Sequence, residues 1–279
     1  MLRIAVPNKG ALAETAAQML GEAGYRLRRD HKELTVSDPR NDAEFFYLRP
    51  RDIATYVGSG ALDVGITGRD LLLDSGSSAV EIAALDFASS TFRFAGPAGR
   101  FTSLEDLRGL RVATSYTGLV GAFLERQGVE VGLVHLDGAV ETAVRLGVAD
   151  AVADVVETGT TLRAQGLEIF GPVILESTAV LISGAARAVG MEVLERRLNG
   201  VLVARRYVMV DYDLPRRLLD EAAAVAPGIE SPTVSPLHDP EWAAVRVMVP
   251  RTEMNLVMDR LYALGARAIF VTPIHAARL

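Results

Sequence analysis

Short β-branched runs alternate with helix-length amphipathic stretches along most of the chain, and this alternation constrains the fold more than any other feature. Arg3–Val6 reads as a strand, Ala11–Ala23 as a helix closed by Gly24, and Leu34–Val36 and Phe45–Leu48 as strands. Pro50–Gly58 reads as a short helix and Val64–Thr67 as a buried strand before Gly68. The pattern then restarts with strand Phe92–Ala95, short helix Leu104–Leu107, strand Arg111–Thr114 and helix Leu119–Gln127 stopped by Gly128. Strand Glu130–Leu136, helix Ala139–Leu146 after Asp137-Gly138, and the strongly apolar strand Ala151–Val156 complete a second unit. Strands separated by helices of this length predict an α/β fold with mostly parallel, covered sheets.

From Tyr207 the order changes. Strand Tyr207–Val210 leads into helix Pro215–Val225, with proline at its first turn. Strands Thr233–Leu237 and Ala244–Val249, helix Glu253–Leu264 capped by Gly265, and strand Ala268–Thr272 follow. The order βαββαβ is the ferredoxin-like unit, read here as a separate domain. A length of 279 residues leaves room for about two domains. With 49% hydrophobic residues, an extended or disordered chain is excluded. The 35 acidic against 29 basic side chains give a net charge of −6, which lacks the basic field of a nucleic-acid binder. The absence of cysteine excludes a disulfide scaffold, a cysteine zinc site and a thiol nucleophile. Pro7 and Lys9 interrupt the start before any signal-peptide core, and no apolar run reaches a membrane span. A soluble, cytoplasmic protein with no membrane partner is expected.

Ala151–Val156 runs through Glu157 into Thr158-Gly159-Thr160-Thr161 and a helix starting near Leu162. Hydroxyls and free N–H groups at a helix N-terminus form an anion cradle, and Gly159 lets the backbone approach a phosphate closely. Asp154 would repel phosphate but suits ribose hydroxyls. An ordinary N-capped helix after a buried strand explains the same residues. Asn8-Lys9-Gly10 follows the first strand, where α/β proteins bind anions. Lys9 and Lys32 are the only lysines among the 29 cations, although a solvated turn also accounts for Lys9. Arg49 and Arg51 flank Pro50 and could clamp pyrophosphate oxygens bidentately, or serve as solvated surface arginines. Gly65-Ile66-Thr67-Gly68-Arg69-Asp70 is a further strand exit with glycine on either side. His31, His135, His238 and His275 have no metal-ligand spacing. No G-x-S-x-G or G-x-G-x-x-G motif supports a serine hydrolase or a Rossmann dehydrogenase.

The run from Glu141 through Gly147, Ala149, Val152, Asp154, Val155, Thr158-Gly159, Thr161 and Leu162 resembles the signature of the ATP phosphoribosyltransferases. Asn8-Lys9-Gly10, Gly65–Gly68, Arg111–Tyr116 and Glu230-Ser231-Pro232-Thr233 extend the resemblance along the chain. It implies a catalytic part of two lobes similar to the type II periplasmic-binding fold, followed by an ACT-like regulatory domain as in the long form. Lobe I would take residues 1–90 with 177–210, lobe II residues 91–176, and the regulatory domain residues 211–279. The lobe crossings would fall near Ala88–Phe92 and Ser177–Val180. The implied reaction transfers phosphoribosyl from phosphoribosyl pyrophosphate to N1 of ATP, with Mg2+ carried on both substrates, in a homo-oligomer between dimer and hexamer.

By the same resemblance, Lys9, Arg49 and Tyr116 are the catalytic candidates. Arg51, Glu141, Asp154, Thr158, Gly159, Thr160 and Thr161 would hold phosphoribosyl pyrophosphate, and Asp70 and Tyr116 would face ATP. Asp213, Thr233, Met248 and Ala268 would bind L-histidine as inhibitor, although Asp213 capping helix Pro215–Val225 is the simpler reading of that residue. Ala11 stands where many relatives have arginine, and Thr117-Gly118 where many have proline. The rival readings are a solute-binding protein of the same two-lobed fold and a prephenate dehydratase. Ser90-Thr91-Phe92-Arg93-Phe94 does not reproduce the latter's Thr-Arg-Phe triplet.

Overall fold

The computed structural model describes residues 1–27, 33–156 and 159–278. Packing divides them into two compact units, Met1–Gly21 with Tyr25–Glu192, and Val193–Leu279 with Glu22–Gly24. No described helix is long and apolar enough to cross a membrane.

The first unit has two lobes. Lobe I is built on strands β1 (Leu2–Pro7), β2 (Thr35–Asp38), β3 (Ala43–Leu48), β4 (Val64–Gly68), β5 (Val80–Ala84) and β11 (Ala179–Ser183), in the order β2-β3-β1-β4-β11-β5. Helices α1 (Ala11–Glu22), α2 (Pro50–Gly58) and α3 (Arg69–Ser75) belong to it. Lobe II holds β6 (Ser90–Pro97), β7 (Arg111–Thr114), β8 (Gly132–His135), β9 (Ala151–Val156) and β10 (Leu167–Ser177), in the order β10-β6-β9-β7-β8. Its helices are α4 (Thr117–Gln127) and the five-residue α5 (Thr160–Ala164). Each lobe has its own apolar core. Ile53, Val57, Val180 and Ile182 pack in lobe I, and Phe92, Phe94, Val112 and Phe123 in lobe II.

Among the described residues, parallel pairing is confined to β1–β3, β1–β4, β7–β8 and β7–β9. The pairs β2–β3, β4–β11, β5–β11, β6–β9 and β6–β10 are antiparallel, which corrects the expected mostly parallel sheet. Strands β6 and β11, by which the chain enters a lobe from the other one, are inserted between two neighbours and run against both, and helix-separated alternation does not reveal them. The expected helix Ala139–Leu146 is also corrected: a single 3₁₀ turn, Val140–Thr142, gives way to turns. Ala139 takes a left-handed conformation (φ 49°), and the Thr142 hydroxyl donates to the Ala139 carbonyl at 2.8 Å. Val140, Thr142 and Val144 are β-branched and favour helix weakly.

The chain passes from lobe I to lobe II between β5 and β6, and returns between β10 and β11. Asp86 and Ala88 hold positive φ (55° and 52°) at the first passage. The two passages are tied by Ala179 N–H and Thr178 Oγ1 donating to the Phe87 carbonyl at 2.9 Å, and by Leu85 N–H donating to the Ala179 carbonyl at 2.9 Å.

In the second unit, α6 (Met191–Arg206) runs without a break into β12 (Tyr207–Pro215). A 3₁₀ turn and α7 (Leu219–Val225), β13 (Thr233–Pro236), β14 (Trp242–Pro250), α8 (Met254–Leu264) and β15 (Arg267–Pro273) follow. The sheet order β13-β14-β12-β15, all antiparallel, is the ferredoxin-like arrangement. By packing, Val193–Arg206 groups with this unit. The last turn of α6 is tied to the unit through two carbonyls: Arg206 O accepts from Arg251 N–H at 2.8 Å, and Arg205 O from Arg251 Nε at 3.1 Å. Strand β12 is longer than expected because strict alternation continues past Val210. Val208, Val210, Tyr212 and Leu214 face the core, each burial being worth about 1.5–3 kcal/mol. Asp211 and Asp213 take the intervening positions on the other face. Asp213 therefore pairs with Ala244 inside the sheet, which corrects the reading of that residue as a helix cap.

Candidate active site

The cleft of the first unit is a cavity of about 570 Å³, within the range of small-molecule sites. Lobe I lines it from strand ends and helix starts. Lys9 and Gly10 follow β1, Pro50 and Arg51 open α2, and Asp70 lies in the first turn of α3. Lobe II contributes Ser115 and Tyr116 after β7, the Asp137-Gly138 turn, and Asp154 and Val155 of β9. The loop bearing Lys9 is set by Asn8 N–H donating to the Leu48 carbonyl at 2.8 Å, leaving Lys9 exposed. The Asn8 side-chain oxygen is buried with no hydrogen-bond partner among the described residues.

Asp70 is buried and held twice by Ser177, whose Oγ donates to Asp70 Oδ1 at 2.7 Å and accepts from Asp70 N–H at 3.1 Å. A Cβ at position 68 would collide with the Asp70 carboxylate, so the glycine of the β4 exit is what admits this side chain. Tyr116 comes from the other lobe to lie close enough to the Asp70 carboxylate to feel its charge. Its ring meets Phe92 edge-on at 5.0 Å and carries the Arg51 guanidinium 4.8 Å from its centroid. Burial first, then the Asp70 carboxylate, push the Tyr116 hydroxyl far above its usual range, so it stays protonated and serves as a donor. Asp154 accepts Val155 N–H at 2.8 Å. Burial, and then the negative charges of Glu141 and Asp70, raise its carboxyl above the ordinary range. A pair of acids facing one cavity with cations at its mouth suits a ligand that carries hydroxyls at one end and phosphates at the other.

Lys9, Arg51, Asp70, Tyr116 and Asp154 of the expected residues thus share one cavity. Glu141 stands on the 3₁₀ turn near enough to act on Asp154. Arg49 is the exposed N-cap of α2 and is not part of the lining. Gly159 is the left-handed N-cap (φ 69°) of α5, followed by exposed Thr160 and Thr161. Thr158 lies outside the described residues, as do His31 and Lys32. Ser177 and Ser90, which line the cavity from the lobe passages, had no sequence signal because neither belongs to a motif. Among the described residues no three histidine or carboxylate side chains converge as a metal site.

On the uncovered face of the four-stranded sheet, Asp213, Thr233 and Ala268 line a cavity of about 400 Å³ with Asp211, Ser235, Arg246 and Phe270. Arg246 Nε donates to Asp211 at 2.7 Å. Met248 does not join them. It pairs with Met209, four residues along β14 from Ala244, and lines a separate cavity with Pro227 and Gly228.

Comparison with known proteins gives matches along the chain. Residues 49–200 match the family model described as ATP phosphoribosyltransferase, and residues 204–276 match that of the HisG C-terminal domain. The chain is 63% identical to an ATP phosphoribosyltransferase of Arthrobacter sp. and 60% identical to one of Streptomyces coelicolor, with 100% of each chain covered. A solved ATP phosphoribosyl transferase (HisG:HisZ) complex from Thermotoga maritima is similar with a TM-score of 0.63 and 28% identity. The match covers 98% of that chain and 72% of this one, leaving about a quarter of the present chain without a counterpart there.

Proposed function

Because the chain belongs to the ATP phosphoribosyltransferase family, we propose that the cleft between its two lobes is where phosphoribosyl passes to ATP. The reaction forms phosphoribosyl-ATP and pyrophosphate, the first step of histidine biosynthesis. The observation that carries the site is the gathering of Lys9, Arg51, Asp70, Tyr116 and Asp154 in one cavity. In the proposed chemistry, adenine N1 attacks the anomeric carbon, forming the N–C bond as the C–O bond to pyrophosphate breaks. The bonding pair leaves with pyrophosphate. N1 is unprotonated at neutral pH and needs no base, so the residues act by positioning and by stabilising the leaving group. Lys9 and Arg51 face the pyrophosphate, with Arg49 at the edge of the same cation group. Asp154, with Glu141 behind it, accepts from the ribose hydroxyls. The Thr158–Thr161 loop binds the 5′-phosphate, and Asp70 with the protonated Tyr116 orients the nucleotide. Magnesium arrives on the pyrophosphate and triphosphate as part of the substrates. The reading places the enzyme in the cytoplasm as a homo-oligomer between dimer and hexamer, a size that light scattering measures.

Thr161→Ala tests the loop. Losing one hydroxyl donor to a dianion, worth about 1.5–3 kcal/mol, should raise KM for phosphoribosyl pyrophosphate about 10- to 100-fold while KM for ATP moves little. Equal changes in both constants would reject the assignment.

Regulation belongs to the same proposal. L-Histidine binds the open sheet face, where Asp213 accepts its ammonium or imidazole N–H, Thr233 adds a hydroxyl and Ala268 lines the pocket. Met248 bounds the face further along the strand. A ligand can inhibit only by binding one conformation better than another. Asp213→Ala should therefore leave activity without histidine near wild type and weaken inhibition at least tenfold. Histidine titration of activity and of thermal stability checks this, and unchanged inhibition would move the regulatory site elsewhere.

A further inference from the structure

Asp74 closes α3 on lobe I, yet three of its hydrogen bonds reach functional or cross-lobe partners. Its Oδ1 accepts Gly118 N–H at 3.0 Å and Leu119 N–H at 3.1 Å, the second and third residues of α4 on lobe II. Its Oδ2 accepts Arg51 NH1 at 2.8 Å. The Asp74 side chain is 10% exposed, while the Arg51 side chain that meets it is 44% exposed and reaches it from the solvent side. Tyr116, the residue at the N-cap position of α4, supplies no side-chain cap. The helix is thus capped by a carboxylate from the opposite lobe, at the end where a negative charge is most favourable.

Gly118 makes this approach feasible. A Cβ there would lie 2.7 Å from the Asp74 carbonyl oxygen and 3.3 Å from Oδ1. The Thr117-Gly118 pair keeps the second helical residue bare where α3 presses against it.

We propose that Asp74 is a positioning residue that clasps the two lobes and, through the same carboxylate, holds the Arg51 guanidinium over the Tyr116 ring. The inference rests on the cleft being the site of phosphoryl-group recognition. Arg51 left without Asp74 would swing freely on its stem, and α4 would lose its cap. Tyr116, one residue before α4, would then no longer be fixed relative to Asp70.

Amide hydrogen exchange and steady-state kinetics on the full-length chain test this. Asp74→Ala should accelerate exchange at Gly118 and Leu119, and raise KM for phosphoribosyl pyrophosphate about tenfold with a smaller change in kcat. Asp74→Asn keeps an oxygen for the two amides but loses the charge facing Arg51. It should restore amide protection while keeping the raised KM. Gly118→Ala, with the carboxylate intact, should reproduce both effects of Asp74→Ala. Unchanged exchange in Asp74→Ala overturns the clasp, and faster exchange with wild-type KM and kcat overturns the positioning role. Failure of the cleft assignment itself is distinguishable, because Lys9→Ala would then leave substrate use untouched while the amides of Asp74→Ala still lost protection.

Discussion

Lys9→Ala should lower kcat by about 10²- to 10³-fold, the effect of removing one preorganised group aimed at charge that develops in the transition state. The lysine lines the cleft beside Arg51, on a loop anchored by the Asn8–Leu48 backbone bond. Pyrophosphate gains negative charge as the C–O bond breaks, so the loss should fall on kcat more than on either KM. Product inhibition by pyrophosphate should weaken in parallel. Lys9→Arg keeps the charge with a different reach and should recover part of the rate. A kcat within twofold of wild type for Lys9→Ala would remove this residue from the chemistry.

Asp154→Asn should lower kcat/KM for phosphoribosyl pyrophosphate about 10- to 100-fold, since it exchanges a charged acceptor for an amide, a change worth about 1.5–3 kcal/mol. The same substitution should make the protein more stable at neutral pH. Burial, Glu141 and Asp70 raise the Asp154 carboxyl in the folded state above its unfolded value near 3.9. Between those two values the folded state holds the proton more tightly, so this residue's contribution to stability falls as pH rises through the window. Above the window the fold carries an unfavourable charge, and asparagine removes it while still accepting Val155 N–H. The melting temperature of Asp154→Asn should exceed wild type at pH 7 to 8, and the gap should close below about pH 4. A variant that melts lower at neutral pH would show that Asp154 serves the fold rather than the substrate.

Much of this architecture was legible because burial writes a period into the chain. Arg111–Thr114, Ala151–Val156 and Pro50–Gly58 occupy the residues their patterns indicated. Strand β10 was not legible, because Gly171-Pro172 breaks its alternation where its pairing with β6 shifts register between Phe170 and Leu175. Strand β12 was read short because Asp211 and Asp213 look like a strand ending, although they sit on the uncovered face of a strand whose other face continues apolar. The cleft residues divide the same way. Lys9, Asp70 and Asp154 lie at strand ends or helix starts, where α/β folds build sites, and sequence could point to them. Asp74 and Ser177 act across gaps of 44 and 107 residues, and no local spacing encodes such partners.

The place of β11 fixes the order in which the first unit can be completed. Strand β5 pairs with no described strand except β11, and β4 meets β11 on the side away from β1. On a chain emerging from its N-terminus, β5 therefore waits, unpaired, through roughly a hundred residues until Ala179–Ser183 arrives. Lobe II has no such debt, since all five of its strands fall within Ser90–Ser177. Its sheet can form on the ribosome while the sheet of lobe I still lacks β11, so the lobe begun first is the one completed last.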